Sequence, residues 1–160
     1  MLKPDIYLTS VLEITPNLIK KLNGKAIILD VDNTIRQHKD KKIFDGVINW
    51  VNVMKSCGVF IVIASNNYRK SVEPIANELG LPCVSFCLKP FPFGLKKAAK
   101  MLGFKKENIV VVGDQFFTDI IGGKFLKFKT ILTKPLKQEE GFFWGIRRNI
   151  EKKILKKILK

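Results

Sequence analysis

The sequence predicts an α/β fold: a central parallel sheet of about five strands with helices on both faces, a three-layer sandwich. Three observations carry this. Short apolar runs rich in β-branched residues alternate with longer segments of helical period. The runs are continuously apolar rather than alternating, which means that both faces of each strand are covered. Several of the helical segments close on a glycine, the residue that best adopts the left-handed conformation ending a helix. A β-α-β-α rhythm of this kind builds a parallel sheet between two helical layers.

In chain order, residues 1–24 are expected to flank the core, with YLTSVLEITPNLIKKL able to form a helix. The core, residues 25–135, opens with the strand AIILDVD (26–32), followed by the helical FDGVINWVNVMKSCG. Next come the strand VFIVIAS (59–65) and the helical YRKSVEPIANELG. Within the latter, Pro74 lacks an N–H and marks either a break or a true first turn. CVSFC (83–87), FGLKKAAKMLG, NIVVVGD (108–114), TDIIGGKFLK and KTILT (129–133) complete the alternation. Residues 136–160 are expected as a basic amphipathic helix attached to a single domain.

A chain of 160 residues suffices for one domain with a real core, and a hydrophobic content of 46% excludes a disordered protein. No apolar run approaches the roughly 20 residues of a membrane span. The first residues carry Asp5 and Glu13 and fit neither a secretory signal nor a transit peptide, so a cytoplasmic location is expected. Cys57, Cys83 and Cys87 form no CxxC pair and read as reduced thiols rather than a metal site. The formal charge of +15 favours polyanionic partners: nucleic acid, anionic lipid or phosphorylated substrates. It is equally the charge of a lysine-rich solvated surface.

Polar groups gather where the strands stop. Asp30 and Asp32 end the first, Ser65, Asn66 and Asn67 the second, Lys89 follows the third, and Asp114 closes NIVVVGD. Open parallel sheets bind ligands at these carboxyl ends. Carboxylates crowded there are tolerable around a hard cation, and Mg²⁺ suits one or two carboxylates plus a phosphate oxygen. Lys89, Ser65 and Asn66 would supply the positive and hydrogen-bonding wall for a phosphate. These parts fit phosphoryl transfer with a carboxylate nucleophile, a metal, and a second carboxyl as acid and base.

The same residues resemble the haloacid dehalogenase superfamily, whose fold is a Rossmannoid sandwich. DxDxT stands as Asp30-Val31-Asp32-Asn33-Thr34, the second motif's hydroxyl as Ser65 in IASNN, and the third motif's lysine as Lys89 in CLKP. GDxxxTD runs from Gly113 to Asp119. The resemblance implies that Asp30 is the nucleophile and Asp32 the acid and base. It implies Mg²⁺ held by Asp30, Asp114 and the Asp32 carbonyl, with Asp119 in an outer position. Thr34, Ser65, Asn66 and Lys89 would hold the phosphate. The second aspartate of the first motif points to phosphate-ester hydrolysis rather than dehalogenation. LDVDNT, VVGDQFFTDIIGG, KTILTKPL and Arg147-Arg148 look like the YqeG branch of subfamily IIIA, which is related to mitochondrial phosphatidylglycerophosphate phosphatases. That relation implies removal of the terminal phosphate of phosphatidylglycerophosphate to give phosphatidylglycerol.

About 30 residues separate Thr34 from Ser65, and fewer separate Ser65 from Lys89. Neither gap holds a cap domain, so the site is expected to be open and to admit a large substrate. In GFFWGIRRNIEKKILKKILK, isoleucines recur every fourth position from Ile146 to Ile158 among Arg and Lys, after Phe142, Phe143 and Trp144. This pattern suits a helix lying on an anionic membrane surface, or a terminal helix packing its isoleucines on the domain. His38, in the basic loop RQHKDKK, reads as a surface residue. Two competing functions remain: a soluble phosphatase acting on a nucleotide, sugar phosphate or phosphoprotein, and a non-catalytic nucleic-acid-binding or scaffold module. The charge supports the last, but no RNA-binding aromatic signature or zinc spacing does. The sequence specifies no oligomeric state.

Overall fold

The computed structural model describes residues 3–37, 40–137 and 142–158, with the side chains of 142–144, 147 and 158 outside that description. His38 lies outside it as well. Six strands form one sheet: β1 (Ile6–Leu8), β2 (Ala26–Leu29), β3 (Phe60–Ala64), β4 (Cys83–Val84), β5 (Ile109–Gly113) and β6 (Lys129–Thr133). Their spatial order is β1-β6-β5-β2-β3-β4, and every pair is parallel.

The sheet thus has six strands where about five were expected. The additional one comes from the N-terminal segment, where Ile6, Tyr7 and Leu8 pair with Ile131, Leu132 and Thr133 at the edge. Three residues are too short a run to stand out by pattern. The long N-terminal helix is also corrected. Ser10 caps a single 3₁₀ turn over Val11–Glu13, and Thr15 caps the short α1 (Pro16–Lys21), each side chain accepting from a backbone N–H at a helix start.

The remaining helices are α2 (Val47–Ser56), α3 (Arg69–Leu79), α4 (Pro92–Leu102), α5 (Ile121–Phe125) and α6 (Phe142–Ile158). Period-2 alternation along the strands sorts the two apolar layers. Ile27, Leu29, Ile61, Ile63, Val110 and Val112 face α1, α2 and α3. Ile28, Val62, Val111 and Ala64 face α4. These residues are fully or almost fully buried, as continuously apolar strands require.

Two other expectations resolve here. Pro74 sits inside α3 without ending it, so the carbonyl of Lys70 one turn earlier lacks a helical donor. The C-terminal helix divides its isoleucine stripe. Ile154 and Leu155 pack beside Phe116, Ile120 and Leu132, whereas Ile146 and Ile150 remain exposed. Restoring the missing donor should stabilise the fold. Pro74→Ala is expected to raise stability by about 1–3 kcal/mol in urea denaturation, and an unchanged or lower midpoint would contradict this account of α3.

Candidate active site

The sheet reverses its chain order between β2 and β5, and the residues following these two strands stand side by side. Leu29 pairs with Val112, and the Asp30 N–H continues the ladder to the Val112 carbonyl at 2.9 Å. Beyond Asp30 the chain curls tightly. The amides of Thr34, Ile35 and Arg36 all donate to the Val31 carbonyl, at 3.2, 3.0 and 3.3 Å. Asn33 takes φ 60, a left-handed conformation that Asn tolerates better than most residues. The curl brings the Thr34 hydroxyl back to donate to Asp30 Oδ2 at 3.3 Å.

Lys89 enters from the loop after β4 and is 5% exposed. Its ammonium donates to Asp30 Oδ1 at 2.6 Å, Asp119 Oδ1 at 2.7 Å and the Ala64 carbonyl at 2.8 Å, which occupies all three of its N–H donors. Asn66 grips the same loop from the end of β3. Its side-chain amide donates to the Lys89 carbonyl at 2.9 Å and accepts from the Lys89 N–H at 2.7 Å.

Asp119 rides on a π-helical turn, Phe116–Ile120, that leads from β5 into α5. Its Oδ2 accepts from the Gln115 N–H at 3.1 Å. A Cβ on Gly113 would stand 2.2 Å from that oxygen, so this close approach requires glycine. Asp114 is 2% exposed and meets Arg148 from α6, whose guanidinium donates to the Asp114 carbonyl at 3.0 Å and to Oδ2 at 2.5 Å. Arg148 also contacts Glu151 at 3.2 Å. The other oxygen, Asp114 Oδ1, is buried with no hydrogen-bond partner among the described residues.

The electrostatics follow from this crowding. Burial pushes the Asp30 carboxyl up to about 7, against the pull of Lys89 and with further upward pressure from Asp119 and Asp32. Burial and the Asp30 charge likewise raise Asp114 well above the carboxylate range, opposed by Arg148. Burial alone would lower Lys89, but Asp119 and Asp30 outweigh it and hold the ammonium charged. One carboxylate oxygen from each of Asp30, Asp114 and Asp119 lies within 4.8 Å of the others. A cluster of oxygen donors with one buried oxygen lacking a donor fits a hard divalent cation.

The residues expected from the sequence therefore largely converge. Asp30, Thr34, Lys89, Asp114 and Asp119 form the cluster. Both Asp119 oxygens are engaged by protein donors, as suits an outer position. The Asp32 carboxylate stands apart from the acidic cluster, with Arg36 Nε at 2.9 Å from one oxygen and Asn67 Nδ2 at 3.4 Å from the other. Ser65 is buried, its hydroxyl accepting from the Asn67 N–H at 3.1 Å. Asn66 spends one amide N–H and its side-chain oxygen on the backbone of Lys89.

The sequence alone assigns no role to Arg36, although it is 3% exposed and bridges Asp32 to the Ser71 carbonyl and hydroxyl at 3.0 and 2.7 Å. Its position four residues after Asp32 is the available signal. Arg148 stands in the sequence among the basic residues of the tail and in the Arg147-Arg148 pair of the branch resemblance, with no role assigned to it. A cavity of about 230 Å³ lies between β6 and α6 beside Asp114, lined by Tyr7, Leu132, Lys134, Arg148, Glu151 and Lys152, among others.

A family model for haloacid dehalogenase-like hydrolases matches residues 24–126. The chain is 34% identical over 152 residues to the Bacillus subtilis protein named "Probable phosphatase YqeG", covering 95% of this chain and 88% of that one. It is 25% identical over 167 residues to an Arabidopsis thaliana protein named phosphatidylglycerophosphate phosphatase 1, chloroplastic/mitochondrial. That match covers 98% of this chain and 48% of the plant protein's length. Among solved structures, the D,D-heptose 1,7-bisphosphate phosphatase of B. bronchiseptica, complexed with magnesium and phosphate, superposes with a TM-score of 0.56 at 17% identity. It covers 68% of this chain and 79% of its own. An uncharacterized protein from Listeria monocytogenes serotype 4b reaches a TM-score of 0.59 at 17% identity, covering 74% of this chain and 84% of its own. At these identities the structural likenesses establish the fold.

The ammonium between two buried carboxylates yields a direct test. Lys89→Met is expected to cost about 3–5 kcal/mol near neutral pH, because both acids lose their buried counter-charge. The Asp30 carboxyl, already raised by burial, is then pushed further above its unfolded value, so the deficit relative to wild type shrinks as pH falls through that range. Denaturant titrations across mildly acidic to neutral pH would check this, and a deficit independent of pH would contradict it.

Proposed function

The chain belongs to the haloacid dehalogenase-like hydrolases, in the branch that includes the Bacillus subtilis YqeG protein, and we propose that it is a phosphatase acting on phosphatidylglycerophosphate. The observation that carries the phosphatase reading is the pair of unlike aspartates. Asp30 sits against Lys89 in the buried cluster, while Asp32 stands outside it on Arg36 and Asn67. One carboxylate is thus placed to attack and the other to move protons.

The derived sequence of events uses these residues. An Asp30 carboxylate oxygen attacks phosphorus, forming the acyl phosphate as the bond to the leaving alkoxide breaks. Asp32 gives that oxygen its proton, then takes one from the water that attacks the acyl phosphate. Inorganic phosphate leaves and Asp30 is restored. Lys89 and Thr34 orient Asp30, and the Ser65 hydroxyl, at the end of the neighbouring strand β3, would donate to the phosphate. Asp30, Asp114 and the Asp32 carbonyl would hold Mg²⁺, which when bound neutralises charge on the phosphoryl oxygens.

Support for the lipid substrate comes from the plant relative's name and from the cavity beside Asp114. Phosphatidylglycerophosphate carries a second phosphate in its diester. Lys134, Arg148 and Lys152 put cationic groups in a cavity that also has apolar walls at Tyr7 and Leu132. No helix among the described residues is long and apolar enough to cross a membrane. The exposed Ile146 and Ile150 among the basic residues of α6 suit peripheral contact with an anionic surface.

Purified enzyme should release phosphate from phosphatidylglycerophosphate in mixed micelles with Mg²⁺, and Asp30→Asn should lower kcat at least about a thousandfold. Brisk turnover of nucleotide or sugar phosphates with none of the lipid would favour the soluble alternative. Mg²⁺ should raise the Tm of the wild-type protein and leave Asp114→Asn unmoved, since only the former retains the buried carboxylate. Equal shifts in both proteins would place the ion elsewhere.

A further inference from the structure

The loop that delivers Lys89 and the first turn of α4 present an apolar surface to solvent. Phe86, Leu88, Phe91 and Phe93 are 55%, 47%, 63% and 72% exposed, and Tyr68, from the loop after β3, is 71% exposed. The Tyr68 and Phe86 rings stack at 5.7 Å, joining the two loops into one patch at the rim of the site. Contiguous exposed apolar groups of this kind mark interaction surfaces.

The backbone here shows that the exposure is not a by-product of core packing. Phe86 and Leu88 take φ 51 and 55, left-handed values that bulky residues seldom adopt. This turns them outward while Cys87 and Lys89 between and after them are buried. Glycine or asparagine would meet the backbone requirement at lower cost. The chain instead places large apolar groups there, facing water.

We propose that this rim, Tyr68 with Phe86, Leu88, Phe91 and Phe93, inserts into the surface of an anionic phospholipid bilayer and docks the open site on it. Charge identifies the occupant. Residues 90–106, beyond the buried Lys89, contain five lysines and no acid. Lys96 and Lys97 follow Phe93 on α4 at the i+3 and i+4 spacings that share a helix face, and both are exposed. Lysine is depleted from protein–protein interface cores, whereas aromatic groups bordered by lysine suit an anionic membrane surface. The rim is separate from the C-terminal helix and contacts lipid whether or not that lipid is the substrate.

The test uses the full chain and vesicles of phosphatidylcholine, alone or mixed with phosphatidylglycerol, without any lipid phosphomonoester. The protein should sediment with the anionic vesicles. The double variant Phe91→Ser/Phe93→Ser should lose about tenfold or more in partitioning while hydrolysing p-nitrophenyl phosphate at the wild-type rate. Lys96→Glu/Lys97→Glu should weaken binding to anionic vesicles selectively. In a separate Phe93→Trp protein, the added emission should shift to the blue on vesicle addition and be quenched by brominated lipid. Partitioning indifferent to the Phe substitutions, or added emission from Phe93→Trp that vesicles leave unchanged, overturns the proposal. A dimer in solution that the double variant abolishes would also overturn it, by assigning the patch to a second copy. Rim-dependent binding without hydrolysis of phosphatidylglycerophosphate would leave this inference standing and remove only the substrate assignment.

Discussion

The buried ammonium of Lys89 is the interaction on which the site depends. Strands β2 and β5 and the turn after β5 bring Asp30, Asp114 and Asp119 together out of water, where carboxylates repel one another and lose hydration. Lys89 answers two of them at 2.6 and 2.7 Å, and Arg148 answers Asp114 while sharing its guanidinium with Glu151. Negative charge remains in excess, and one Asp114 oxygen has no donor among the described residues. Such an arrangement suits a divalent cation, which would offset the remaining negative charge.

The supporting structure serves this charge cluster. Asn66 clamps the Lys89 backbone, Gly113 lets Asp119 approach the end of β5, and the curl after β2 returns Thr34 to Asp30. None of these groups needs to touch substrate to matter. A shift of any one would misplace a buried charge, which costs far more than a lost surface contact.

Much of this was legible in the residues. Strands β2, β3, β5 and β6 read as continuous apolar runs because both faces are buried, and the acids at their ends stood out against that background. What lay hidden depended on tertiary neighbours. Strand β1 is a three-residue edge that exists through its pairing with β6. Helix α3 carries Pro74 because packing of Val72, Ile75, Ala76 and Leu79 outweighs one absent hydrogen bond. Arg36 looked like an ordinary surface cation, and Arg148 carried no assigned role, until the fold placed carboxylates beside them. The tail meets the packing expectation in part, since Ile154 and Leu155 pack on the domain while Ile146 and Ile150 remain exposed.

The central claim is that Asp30 carries the phosphoryl group between substrate and water. Rapid acid quench of an Asp32→Ala protein during turnover, followed by peptide mass spectrometry, tests it most directly. The account predicts that the peptide containing Asp30 gains the mass of one phosphoryl group, because the variant slows the attack of water on the acyl phosphate. Turnover that proceeds with Asp30 unmodified at every quench time, and with the phosphoryl group on no other residue, would contradict it.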